Sequence, residues 1–115
     1  MNLEPGLPVD LLALPLETEP APADMVEQGA PVAGAAALAE IAEVEVGVWE
    51  MTAGVATDIE ADEVFVVLTG RATIEYLDPA LPTAEVGPGS MVWLTEGMST
   101  RWTVTETLRK VYVAG

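Results

Sequence analysis

The sequence predicts an all-β protein: a single barrel or jelly roll of short antiparallel strands, preceded by an extended proline-rich arm. Three observations point there. Val44, Val46 and Val48 alternate with Glu45, Gly47 and Trp49, the period of a strand with two unlike faces. Residues 64–68 are apolar at every position, as expected of a strand covered on both sides. Turn-forming residues recur at short intervals throughout, at Thr52-Ala53-Gly54, Gly70, Asp78-Pro79, Pro82, Gly87-Pro88-Gly89 and Glu96-Gly97. About eight short strands separated in this way suit a closed or two-layered β fold.

Taken in order, residues 1–35 contain Pro5, Pro8, Pro15, Pro20, Pro22 and Pro31, a density that rules out long helices and regular central strands. They read as the arm, and residues 36–115 as the barrel. Within the arm, residues 9–16 (VDLLALPL) are apolar enough to lie along the barrel or add to a sheet edge, and residues 17–24 read as an exposed connection. Residues 35–42 (AAALAEIA) have alanine-rich helical propensity, yet they run straight into a β pattern and are assigned to a strand. After Gly70, residues 71–77 return as the second arm of a hairpin. Residues 83–86, 90–95, 100–105 and 108–114 supply the remaining strands, the last with Leu108, Lys110 and Tyr112 on one face and Val111 and Val113 on the other.

Composition excludes several function classes. At 115 residues, half of them apolar, the chain is one domain with one core. With 19 acidic residues against 4 basic ones the net charge is −15, the opposite of what phosphate neutralisation requires. Nucleic acid and anionic membranes are therefore not expected partners, and no apolar run approaches the ~20 residues that span a bilayer. The first residues, MNLEPGLPVD, lack the basic and apolar regions of a signal peptide, so the expected location is the cytoplasm. Absence of cysteine excludes disulfides, thiolate nucleophiles and sulfur-ligated zinc. Absence of histidine removes the commonest metal ligand and the commonest general base near neutral pH. Together these losses exclude Ser-His-Asp and Cys-His machinery.

A few side chains remain as candidates for chemistry. Strand alternation directs Glu63 inwards with Phe65 and Val67, where a carboxylate needs a partner. It reads either as an acid or base of raised pKa, or as a buried glutamate tied to a hydroxyl or to Lys110. Lys110, the only lysine, reads either as a desolvated amine that binds or attacks a carbonyl, or as a packed stem whose head reaches water. Trp102 shares a face with Thr100, and Trp49 can face the same cavity; Tyr76 and Tyr112 offer hydroxyls. Arg101 and Arg109 read as exposed partners of neighbouring carboxylates.

Gly54, Glu63 and Gly70, followed by Gly87-Pro88-Gly89-Ser90 and Thr95-Glu96-Gly97, follow the two cupin motifs, and the chain resembles a small cupin. GVWEMTAG at 47–54, ADEVFVVLTGRATI at 61–74 and STRWTVTETLRKVYV at 99–113 resemble the short cupins related to (S)-ureidoglycine aminohydrolase and the ethanolamine-utilisation cupins, over roughly residues 25–115. The resemblance implies a double-stranded jelly roll with an internal pocket, and a homodimer. Metal-binding cupins present two histidines and a glutamate from the first motif and a third histidine from the second. Alignment on Glu63 puts Thr57 and Ile59 at the first two positions and Thr100 at the third, a set unsuited to a transition metal. No metal or other cofactor is therefore expected. A one-residue shift would bring Asp58 inwards instead, and Asp58, Glu60, Asp62 and Glu63 leave open a weak oxygen-ligated magnesium or calcium site.

The expected pocket comprises Trp49, Thr57, Ile59, Glu63, Phe65, Thr100, Trp102 and Tyr112, with Glu63 and Lys110 as candidate catalytic residues. Three functions are compatible with these residues. One is a metal-free cupin that binds a small cationic or amine-bearing molecule. Another is an enzyme of the aminohydrolase type, doing acid-base chemistry on a nitrogen compound with Glu63 as acid or base and Lys110 assisting. The third is a homodimeric interaction module that uses a sheet edge or the arm.

Overall fold

The structure is a computed structural model, and it describes residues 2–115. Its elements are β1 (Glu19–Pro20), β2 (Val26–Gln28), β3 (Val32–Ile41), β4 (Val44–Met51), β5 (Gly54–Ile59), β6 (Glu63–Asp78), β7 (Ala80–Val86), β8 (Met91–Leu94) and β9 (Ser99–Ala114). All pairings between them are antiparallel. Among the described residues no helix is long and apolar enough to cross a membrane.

Two 16-residue strands, β6 and β9, form the spine. They pair along their whole length, from Glu63 opposite Ala114 to Asp78 opposite Ser99. Beside the second half of β9 lies β4, with β3 and β1 beyond it, and beside the first half of β6 lies β8. Next to the first half of β9 lies β5, with β2 beyond it, and next to the second half of β6 lies β7. The spine thus belongs to two layers and curls from one into the other. One core fills the space between them, with Met51, Phe65, Leu94, Leu108 and Tyr112 from the first layer against Ile74, Val86, Trp102 and Val104 from the second.

The expected break at Gly70 is corrected here, because β6 continues through it, and β9 likewise joins the two strands expected at 100–105 and 108–114. Gly70 has φ of +89°, and a Cβ there would run into the backbone of Thr107 and Leu108. The ladder slips register on both sides of this point. The glycine therefore bends a paired strand at the crossing between layers and does not form the hairpin turn expected from the sequence.

Residues 9–16 lie across the outer face of β3 and β4. Leu14, Leu38 and Val48 form a second, smaller apolar cluster, flanked by Val9, Leu11, Leu16 and Ala36. Arg109 holds this segment in place. Its Nη1 donates to the carbonyls of Leu11 (2.8 Å) and Leu14 (2.6 Å), and its Nε to Glu50 (3.0 Å). Arg109 is buried, contrary to the exposed position expected for it, because these carbonyls lie outside any strand and need a donor. Arg101 is half exposed between Glu27 and Glu75.

The alanine-rich segment forms β3, since pairing along β4 decides against its helical propensity. Ile41 pairs with Val44 across a two-residue turn, and Ala42 and Glu43 adopt φ of 49° and 69°. This is the left-handed pair of a tight hairpin, built without the asparagine or glycine that favours it. Replacing Ala42-Glu43 by Asn-Gly is expected to stabilise the protein by about 1 kcal/mol, read as a rise in the denaturation midpoint.

Candidate ligand pocket

Between the layers lies a cavity of about 330 Å³. Ala33 and Ala35 of β3, Trp49 and Met51 of β4, and Ala56, Thr57 and Asp58 of β5 line it. Glu60, Glu63, Trp102, Lys110 and Tyr112 complete its walls, and Ala21, Pro22 and Met25 from the proline-rich segment close over it. β2 brings Met25 there, because Val26 pairs with Ala56 and the Met25 carbonyl accepts from the Thr57 amide at 2.9 Å.

Lys110 stands at the inner wall. Its Nζ donates to Glu63 Oε2 at 2.7 Å, and the two side chains are 7% and 19% exposed. The same nitrogen lies 4.3 Å from the centroid of the Phe65 ring, 4.8 Å from Trp49 and 4.9 Å from Trp102. Trp102 is tilted against both other rings, with centroids 6.0 Å from Trp49 and 5.5 Å from Phe65. An ammonium meeting three ring faces and one carboxylate is held by cation–π attraction and an ion pair together. Pairing joins these groups, since Trp49 is opposite Lys110 on β4 and β9, and Phe65 is opposite Tyr112 on β6 and β9.

Glu60 stands apart from that pair. Its Oε2 accepts from Thr100 Oγ1 (2.7 Å) and Trp102 Nε1 (3.0 Å). Burial pushes its carboxyl up, and the Thr100 and Trp102 bonds only partly oppose this; nearby Asp58 adds to the rise and Lys110 offsets some of it. Asp58 sits at the rim, where its Oδ1 accepts from the Ile59 amide at 2.8 Å. Its carboxyl is also pushed up by partial burial, but water reaches it and screens the effect. Tyr112 donates to Glu45 Oε2 at 2.7 Å, and burial, with that bond next in importance, pushes its hydroxyl up to about 12.

Six of the expected residues meet in this cavity: Trp49, Thr57, Glu63, Trp102, Lys110 and Tyr112. Phe65 and Thr100 are fully buried behind its wall, the first under Lys110 and the second behind Glu60. Ile59 is corrected, being 65% exposed and outside the cavity. The reason is register, because Ala56, Asp58 and Glu60 line the cavity at alternating positions, one from the set obtained by counting back from Glu63, and of that set only Thr57 also reaches the wall. Glu60, weighed in the sequence only as part of an acidic loop, was missed as a pocket wall. Its signal was its place two residues beyond Asp58, continuing the alternation just past the end of β5.

The donor set does not fit the metal centre of the metal-binding cupins. With the register shifted by one, Asp58 and Glu60 take the places of the first two histidines and Thr100 that of the third, which gives no imidazole or thiolate. Oxygen ligation is not assembled either. Glu63 is taken by Lys110, and Asp62 turns outwards to accept from the Glu96 amide at 2.9 Å. Among the described residues no group of three acidic side chains has a geometry that would hold a metal ion.

Comparison with known proteins bears on the fold. The family model for EutQ-like cupin domains matches residues 38–112. A protein of unknown function of the DUF861 family from Pseudomonas syringae pathovar tomato superposes with a TM-score of 0.76 at 23% identity, over 93% of this chain and 46% of its own. The chain therefore spans about half the length of that relative. A putative ethanolamine utilization protein Q from Salmonella typhimurium gives 0.59 at 19% identity, over 71% of this chain and 68% of its own. A cupin superfamily protein from Desulfitobacterium hafniense gives 0.67 at 14% identity, over 99% and 94%. No curated protein matches the sequence at a significant level.

Two stability predictions follow from the charges. Lys110→Met should cost roughly 3 kcal/mol at neutral pH by leaving Glu63 uncompensated, and adding Glu63→Gln should recover much of the loss in a denaturation series. Glu60 has a raised pKa in the folded state, so its contribution to stability is fully present below the ordinary carboxylate range and is lost as pH rises through the raised value. Glu60→Gln should therefore raise the melting temperature at pH 7 and flatten its dependence on pH between the acid range and neutrality.

Proposed function

The chain belongs to the family of EutQ-like cupin domains, and on that premise we propose that it binds a small organic molecule bearing an amine or another cationic group, without a transition metal. The observation that carries this reading is the charge left over in the pocket. Glu63 and Lys110 neutralise one another, while Asp58 and Glu60 face the cavity and make no ion pair among the described residues. The partly buried Glu60 carboxylate is costly without a cation, Asp58 at the rim adds to the negative field, and a bound ammonium group would relieve that cost. The cavity is at the small end of the range for organic ligands, and its remaining wall of alanines, Met25, Met51 and Trp49 suits an alkyl portion. Catalysis by Lys110 is less well supported. Attack on a carbonyl would require its nitrogen to leave Glu63 and three ring faces.

Titration with n-butylammonium tests the reading. We expect saturable binding in calorimetry and a raised melting temperature, with Glu60→Gln weakening affinity roughly tenfold or more, the scale of a lost charge-assisted contact. Absence of any saturable binding at millimolar amine would overturn it.

Assembly as a homodimer is a second reading, favoured by one surface. On the outer side of the first layer, Val46, Val113, Val64 and Trp93 lie in register across β4, β9, β6 and β8, and Val48, Val111, Val66 and Met91 form the next row. Trp93 and Met91 are 71% and 70% exposed, and neither row contains a charge in a chain of net charge −15. Residues 9–16 cover the β3–β4 end of this face and leave the β8 end bare. A second copy could pack there without bringing carboxylates together. Trp93→Glu should yield monomers in sedimentation experiments where the parent protein sediments as a dimer; a monomeric parent would end this reading.

A further inference from the structure

The hydrogen-bonding inventory of the pocket narrows the class of ligand. Nearly every donor side chain on its walls is already engaged within the chain. Lys110 gives one N–H to Glu63 and is otherwise surrounded by three aromatic rings, while Trp102 donates to Glu60, Tyr112 to Glu45, and Thr57 to the Met25 carbonyl. The Trp49 indole N–H is the one donor of a lining side chain with no partner in the chain among the described residues. Acceptors, by contrast, are in surplus. The carboxylates of Asp58, Glu60 and Glu63 each use one oxygen in the bonds described, and each carboxylate can accept at both.

From this imbalance we infer that the pocket selects organic cations whose polar atoms are donors only, amines or diamines without a carboxylate, and rejects amino acids and other zwitterions. The inference rests on the amine-binding reading and deepens it. Lys110 is the residue that sets the selectivity. An uncommitted lysine would receive the carboxylate of an amino acid, but this one is enclosed by Glu63, Phe65, Trp49 and Trp102 and is 7% exposed. A ligand carboxylate would enter beside Asp58 and Glu60 and find, outside the ring-enclosed ammonium, a single indole N–H to meet it. Like-charge contact and unpaired acceptors then act in the same direction. A diamine suits the surplus better than a monoamine, because its second ammonium can use a further carboxylate oxygen.

The discriminating experiment compares n-butylamine, 1,4-diaminobutane and 4-aminobutanoate as ligands of the full chain by calorimetry near neutral pH. These probes share a four-carbon chain and differ in what their far end carries. We expect both carboxylate-free amines to bind and 4-aminobutanoate to bind roughly a hundredfold more weakly, as expected of an uncompensated like-charge contact. Affinity for 4-aminobutanoate equal to or above that for n-butylamine would overturn the selectivity while leaving amine binding intact. Failure of all three to bind would overturn both. Asp58→Asn and Glu60→Gln, which keep side-chain shape, should narrow the gap between n-butylamine and 4-aminobutanoate; an unchanged gap would assign the discrimination elsewhere and count against the inference.

Discussion

The contact between Lys110 and Glu63 ties the two spine strands together at the point where the pocket begins. Each strand brings one half of an ion pair to the inner face, and three aromatic rings from β4, β6 and β9 close around the ammonium. The arrangement satisfies a cation that would otherwise be expensive to bury, and it gives scarce aromatic surface a common centre. It also fixes the electrostatics of the pocket. With one carboxylate neutralised internally, the field that a ligand meets is set by Asp58 and Glu60.

The rest of the architecture keeps that centre in place. Gly70 allows the paired strands to bend, so that Phe65 and Trp102, from opposite halves of the spine, reach the same lysine. Gly47 serves a related purpose on β4, since a Cβ there would strike the ring of Tyr112 and the carbonyl of Ala36. Outside, Arg109 follows the same logic as its neighbour Lys110 with the opposite facing. Adjacent residues on a strand point to opposite faces, so one basic side chain binds the core acid and the next binds the segment laid over the outer surface. The dipeptide Arg109-Lys110 therefore serves both surfaces of its layer.

Much of the fold was legible because strand alternation is a local property. The faces of β4, the inward set Leu108, Lys110 and Tyr112, and the inward Glu63 all follow from period two. Non-local matters were not legible. Gly70 carries the signal of a turn whether it ends a strand or bends one, and only pairing with β9 decides between them. The turn at Ala42-Glu43 has no residue that announces it. In the site, counting back from Glu63 across an irregular loop misplaced β5 by one residue, which exchanged Ile59 for Asp58 and Glu60. Neither the place of Ala21, Pro22 and Met25 at the pocket nor the burial of Arg109 has any local pattern, since both depend on contacts far apart in sequence.

The burial of the only lysine has a chemical consequence beyond binding. The single lysine side chain is 7% exposed and reached only through the pocket, so the folded chain offers almost no accessible ε-amine. Amine-directed reagents, whether fluorophores, crosslinkers or coupling surfaces, will find almost nothing to react with on the folded side chains. The reactivity of Lys110 towards such reagents thus becomes an intrinsic reporter of access to the space between the layers, needing no introduced label.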